Sequence, residues 1–154
     1  MWFPKPDNMT YKHTQTGWVT LAVCIAALIL FELLPTPPAA RQSVWPILVL
    51  VVLLIASLMA TLTVEVDDSL VRIRFGVGLI RKSFRLEEIA SAQPVRNRWW
   101  WGWGVRLYPG GWLYNVSGLD AVELVMKHGK RFRIGTDEPQ VLADIIQFKL
   151  TKAG

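Results

Sequence analysis

One cysteine and two histidines among 154 residues leave little room for several kinds of chemistry. Cys24 alone builds neither an internal disulfide framework nor a cysteine-based zinc cluster. His13 precedes the first apolar run and His128 falls in a predicted turn, so neither has a nucleophile or a second metal ligand beside it in sequence. Phosphate loops are missing too: Gly76-Val77-Gly78, Gly102-Trp103-Gly104 and Gly110-Gly111 lack the lysine and the following helix. The adjacent carboxylates Asp67-Asp68 and Glu87-Glu88 read as solvated turns rather than acid/base pairs. The expectation is a protein that is no enzyme and uses neither cofactor nor metal.

Charge is scarce as well, at 19% of residues against 52% hydrophobic, and it is unevenly spread. From Thr14 to Val64 only Glu32 and Arg41 are charged. Two apolar runs fill that stretch, Trp18 to Leu34 and Val44 to Leu62. As helices they would reach roughly 26 and 28 Å, close to the ~30 Å hydrocarbon core. The connection, residues 35–43, holds three prolines that stop the first helix. A transmembrane helical hairpin over 17–63 is therefore expected, with Trp18 and Trp45 at headgroup level and Pro46 in the first turn of the second helix. Glu32 reads as an interface carboxylate reaching water. Lys5 and Lys12 before the hairpin, and Arg72, Arg74, Arg81 and Lys82 after it, outweigh Arg41 in the loop, which places both termini in the cytoplasm. A cleaved signal peptide fits less well, because the run is long for one and a second follows at once. Residues 1–16 are then a cytoplasmic N-terminal segment and 64–154 a cytoplasmic domain.

Beyond Leu62 the apolar period changes from helical to two. In LVRIRF, residues 70–75, Val71, Ile73 and Phe75 share one face, and Arg72 and Arg74 the other. LIRKSFRL (79–86) returns after Gly76-Val77-Gly78; a tight turn there sets Arg74 opposite Arg81, a like-charge pair that needs compensation from acids such as Glu87 and Glu88, from water, or from an anionic partner. Further strands are expected at 89–95, with Pro94 demoting the end, and at 105–108, 112–116, 121–126 and 131–135. A three-residue loop with Gly129 at positive φ pairs Met126 with Phe132 and Leu124 with Ile134. Asp137 and Gln140 suit a capping box ahead of a helix whose apolar stripe is Val141, Leu142, Ile145 and Ile146. About seven antiparallel strands in two bent sheets, closed by one C-terminal helix, is the expected architecture.

The run Trp99-Trp100-Trp101-Gly102-Trp103-Gly104-Val105-Arg106 is the most specific pattern in the chain. It is followed by Pro109, Gly111-Trp112, Asn115-Val116, Gly118, Val122-Glu123-Leu124, Gly129 and Arg133-Ile134-Gly135-Thr136-Asp137-Glu138-Pro139. With the apolar hairpin ahead of it, this pattern resembles bacterial pleckstrin-homology-like (PH-like) membrane proteins, which join a transmembrane hairpin to a cytoplasmic PH-like domain. The resemblance implies the PH fold, seven strands plus a capping helix, and no catalytic residues. Phosphoinositide-holding PH domains use basic residues around the first hairpin loop and an R-x-R on the next strand. Arg72-Ile73-Arg74 matches the second part, but Asp67 and Asp68 occupy the loop and would repel a phosphorylated head group.

Two clusters stand out as candidate contact sites. Trp99, Trp100, Trp101 and Trp103, flanked by Arg96, Arg98 and Arg106, read as inward packing, as a loop dipping into anionic headgroups, or as a protein-partner hot spot. Arg72, Arg74, Arg81 and Arg85 form a candidate anion-facing stripe. Nucleic acid is not an expected partner, since the aromatics do not line a basic groove. The expected function is a membrane-anchored PH-like binding or assembly module on the cytoplasmic face of a bacterial inner membrane, contacting lipid, a protein partner or a second copy. The alternative is an accessory subunit of a membrane transporter or envelope-stress complex that acts through its hairpin.

Overall fold

The computed structural model describes residues 11–153, so most of the expected N-terminal segment, including Lys5, lies outside the described residues. Residues 11–16 are not a free segment. Tyr11–Thr16 form strand β1, which pairs antiparallel with β2 (Thr61–Val66), from Tyr11↔Val66 to Thr16↔Thr61. Helices α1 (Trp18–Leu33) and α2 (Pro38–Met59) are thus an insertion between neighbouring strands of one sheet. The expected boundaries at 16/17 and 63/64 both cut that sheet. Polar YKHTQT carries no apolar alternation, which hides β1 from a pattern reading.

The connection between the helices contracts to four residues, 34–37, because Pro38 opens α2 at a position where its missing amide costs nothing. Pro46 lies inside α2 rather than in its first turn. At about 1.5 Å per residue the 22 residues of α2 reach roughly 33 Å, and the helix is long and apolar enough to cross a membrane; α1, with 16, reaches roughly 24 Å. The pair touches lightly. Cys24 and Val52 are its buried side chains, Phe31 stacks on Trp45 at 5.6 Å, and Arg41 pairs with Glu32 at 3.0 Å beside the connection.

β3 (Leu70–Phe75) and β4 (Ile80–Arg85) complete a four-stranded meander, β1-β2-β3-β4. The second sheet contains β5 (Ile89–Arg96), β6 (Gly104–Tyr108), β7 (Gly111–Asn115), β8 (Asp120–Met126) and β9 (Arg131–Gly135), in the order β5-β8-β9-β7-β6. The described residues therefore hold nine strands rather than about seven, and one pair, β7 with β9, is parallel. β9 uses one side for its hairpin with β8, and the free side accepts β7. Pro94 is tolerated inside β5 because that strand lies at the sheet edge.

Alternation sets the core. Val71, Ile73 and Phe75 turn inward as expected, joined by Leu62, Val64 and Val66 of β2. Phe84 bridges the sheets, 4.8 Å from Phe132 and 6.4 Å from Tyr114 between ring centroids. In the β8–β9 hairpin Leu124 opposes Phe132 and Val122 opposes Ile134, two residues from the expected register. A two-residue slip keeps every side chain on its face, so the apolar pattern alone does not separate the two registers.

Helix α3 (Pro139–Ala153) packs along β5 and β8 through Leu142 and Ile146, while Val141 of the expected stripe is exposed. The predicted capping box does not form. Thr136 Oγ1 accepts the Glu138 amide at 3.1 Å, Gln140 reaches Asp144, and Asp137 lies 2.5 Å from His13 of β1. The His13 and Tyr11 side chains, the latter donating to Glu138 at 3.2 Å, tie β1 to the start of α3.

Candidate functional site

The tryptophan block follows β5 as a single 3-10 turn, Trp99–Trp101. With about three residues per turn, consecutive indoles point in three directions. Trp99 and Trp100 project outward, 70% and 58% exposed, and meet edge to face at 5.8 Å. Trp101 turns inward onto Tyr108 at 5.2 Å and onto the Arg133 guanidinium at 5.0 Å. Trp103 donates its indole N–H to the Gly118 carbonyl at 3.1 Å.

Beneath Trp101 lies a buried ionic network that the sequence reading passed over. Gln93, Glu123, Arg133, Leu113 and Arg106 stand opposite one another in register, forming one row across all five strands. The Glu123 side chain, 4% exposed, accepts from Arg133 Nε at 2.8 Å, from the Tyr108 hydroxyl at 3.0 Å and from Gln93 Nε2 at 3.4 Å. Burial alone would raise its carboxyl, but the hydrogen bonds from Arg133 and Tyr108 outweigh it and hold Glu123 below the ordinary carboxylate range. Burial and the Glu123 charge push the Tyr108 hydroxyl up. Arg133 also donates to Asn97 at 3.2 Å and lies 4.6 Å from the Tyr108 ring. Glu123 sits between Val122 and Leu124, so alternation assigns it to a solvated face; only the aromatic cover, remote in sequence, reveals otherwise.

The block thus divides. Trp101 and Trp103 serve the fold, and Arg106 joins them through a 2.8 Å bond to the Trp103 carbonyl. Trp99 and Trp100 remain at the surface with Arg98, whose guanidinium lies 5.2 Å from the Trp100 ring; exposed Arg96 has Asp120 at 4.0 Å.

The arginine stripe divides as well. Arg72 pairs with Asp67 at 2.7 Å and Arg85 with Glu87 at 3.3 Å, so two members have local acids. Arg74 stands opposite Arg81, with Glu65 3.8 Å from Arg74. Arg81 donates to the Gly78 carbonyl, and no carboxylate lies within 4.0 Å of it among the described residues. Asp67 is occupied locally, accepting the Ser69 and Leu70 amides at 2.8 and 2.7 Å.

These groups sort by end of the domain. Next to the helix pair lie the β3–β4 turn, whose Val77 amide donates to Ser57 of α2, and the β7–β8 turn, whose Ser117 carbonyl accepts from Gln15. Trp103, bonded to Gly118, belongs to the same end. At the other end are the Asp67-Asp68-Ser69 turn, the Glu87-Glu88 turn and the β8–β9 turn, where Lys127 donates to the Glu88 carbonyl. Lys149 reaches Asp68 there at 2.5 Å and holds its carboxyl below the usual range. A shallow depression of about 470 Å³, lined by Asp68, Ser69, Arg85 and Glu87 among others, opens at that end. Among the described residues no three histidine, cysteine or carboxylate side chains group to hold a metal.

No protein-family model matches the chain, and no curated protein matches it in sequence.

Proposed function

We propose that the protein is a membrane-anchored, PH-like binding or assembly module on the cytoplasmic face of a bacterial inner membrane. The carrying observation is that β1 and β2 close on one another across the helix pair. Their ladder requires the chain to enter and leave the pair on the same side, as two membrane crossings do. The outer surfaces of both helices are aliphatic, with Ile25, Leu30, Leu50 and Leu53 all more than half exposed, a surface suited to lipid. The shorter α1 is accommodated by local thinning of the bilayer and by flanking residues that reach to the interface. The basic residues flanking the pair favour cytoplasmic termini.

Two packed sheets closed by a C-terminal helix support the PH-like reading. The inserted helices and the parallel β7–β9 pair are departures from a simple PH barrel. Single residues, Gly17 and Ala60, join the module to its anchor at two points, so the module is carried rigidly rather than on a flexible tether. The contact surface is Trp99, Trp100 and Arg98, two exposed indoles and a cation on the turn that follows β5, suited to anionic headgroups or an acidic patch on a membrane neighbour. A photo-crosslinking residue at Trp100, in native membranes, should give discrete lipid or protein adducts that the same probe at Asp144 does not. Equal yields at both positions, or none at Trp100, would count against this surface.

The thin α1–α2 contact favours a second reading, an accessory subunit that presents its outer helix faces to another membrane protein. Cys24 faces the companion helix, so probes at Ile25 or Leu50 test this reading, and adducts confined to them would select it.

A further inference from the structure

We propose that the β3–β4 turn, residues 76–79, is a second membrane contact: an aliphatic wedge of Val77 and Leu79 seated in the lipid headgroup layer beside α2. The inference rests on the reading of α1 and α2 as a bilayer anchor. Hairpin tips facing water are built of glycine, proline and short polar residues rather than exposed large aliphatic ones. The β2–β3 tip is Asp67-Asp68-Ser69 and the β8–β9 tip is Lys127-His128-Gly129, both at the end away from the helices. The β3–β4 tip, at the helix end, is Gly76-Val77-Gly78-Leu79, with no polar side chain. Val77 is 67% exposed and Leu79 75%.

The tip is fixed against the anchor. The Val77 amide donates to the Ser57 carbonyl at 3.1 Å, satisfying one of the free carbonyls at the end of α2, and the Gly76 amide donates to Thr61 at 2.8 Å. Gly76 has φ +44, and a side chain there would collide with the Ser57 carbonyl, so glycine is what permits the approach. Leu54 and Ile55, both exposed, precede Ser57 by less than one helical turn, about 5 Å along the axis. A bilayer that wets those residues places its headgroup layer at Val77 and Leu79. Arg74 and Arg81, opposed on the strands that lead into the turn, then face lipid phosphate, which supplies the counter-charge that Arg81 lacks among the described carboxylates.

The test uses the full chain with Cys24→Ala, reconstituted in phosphatidylglycerol-containing vesicles, with an environment-sensitive fluorophore on Leu79→Cys or, independently, Val77→Cys. Leu50→Cys serves as the anchor control and Glu87→Cys as the far-end control. The wedge predicts blue-shifted emission at 77 and 79, quenched by a lipid spin-labelled near the headgroup and shielded from aqueous iodide, with position 87 showing the reverse. Iodide access at 77 and 79, quenching at 87 equal to that at 79, or shielding from both quenchers, which marks a protein cover, would overturn it. If position 50 is not quenched by a lipid labelled deep in the chain, the anchor reading itself fails. Quenching at 50 without quenching at 77 and 79 removes the wedge alone.

Discussion

The Gly17 amide donates to the Ala60 carbonyl at 2.6 Å, joining the residue before α1 to the residue after α2. The bond continues the β1–β2 ladder by one rung and closes the base of the helix pair. A Cβ on Gly17 would lie 2.7 Å from the Met59 carbonyl and 3.2 Å from Val116 Cβ, so the end of α2 and the segment just after β7 must shift to admit it. Gly17→Ala is expected to lower stability by about 1–3 kcal/mol, read as a lower thermal midpoint in detergent. An unchanged midpoint would mean that the closure contributes little.

Removing the Glu123 charge leaves Arg133, its side chain 15% exposed, without its counter-ion. Breaking one partner of such a pair costs about 3 kcal/mol. Glu123→Gln should therefore destabilise the domain by about that amount, measured by chemical denaturation. Arg131, more exposed and 3.7 Å from the same carboxylate, should matter far less when replaced by Gln.

The same carboxylate sets an acid limit. Its value is lowered in the folded protein, so its contribution is complete above the usual 4.5 and is lost as pH falls through the folded value. The stability advantage of the native chain over Glu123→Gln should hold at neutral pH and shrink on acidification. A constant difference down to acid pH would show that the carboxylate carries no such linkage.

The division within the tryptophan block predicts opposite outcomes for neighbouring residues. Trp101→Ala removes the cover from Arg133 and Tyr108 and should cost about 2 kcal/mol, part packing and part cation–π contact. Trp100→Ser should change stability by less than about 0.5 kcal/mol, while reducing crosslinking from position 99. Equal stability losses would place both indoles in the fold.

Alternation made much of the domain legible. It placed Val71, Ile73 and Phe75 inside and set Arg74 opposite Arg81, as the structure has them. Three features escaped for physical reasons. β1 is polar because it is a sheet edge: His13 meets Asp137 ahead of α3, Gln15 reaches the Ser117 carbonyl, and only Tyr11 packs against the apolar core, its hydroxyl donating to Glu138. Parallel pairing of β7 with β9 depends on which strand edge is left free, a tertiary matter. Glu123 is buried by an aromatic loop more than twenty residues away in the chain, and strand periodicity carries no information about such a cover. In the candidate site, the sequence marked the tryptophans as a group, but only the 3-10 turn separates Trp99 and Trp100 from Trp101, and only the bond to the Gly118 carbonyl sets Trp103 with the fold.

The central claim is that α1 and α2 cross the bilayer and return the chain to a module held on one side. Single-cysteine variants in a Cys24→Ala chain test it directly, with a membrane-impermeant maleimide applied to intact bacterial spheroplasts. Ala40→Cys, beside the helix connection, should react in intact spheroplasts, whereas His128→Cys, in the β8–β9 turn, should react only after permeabilisation. Labelling of both positions from the same side would contradict the account.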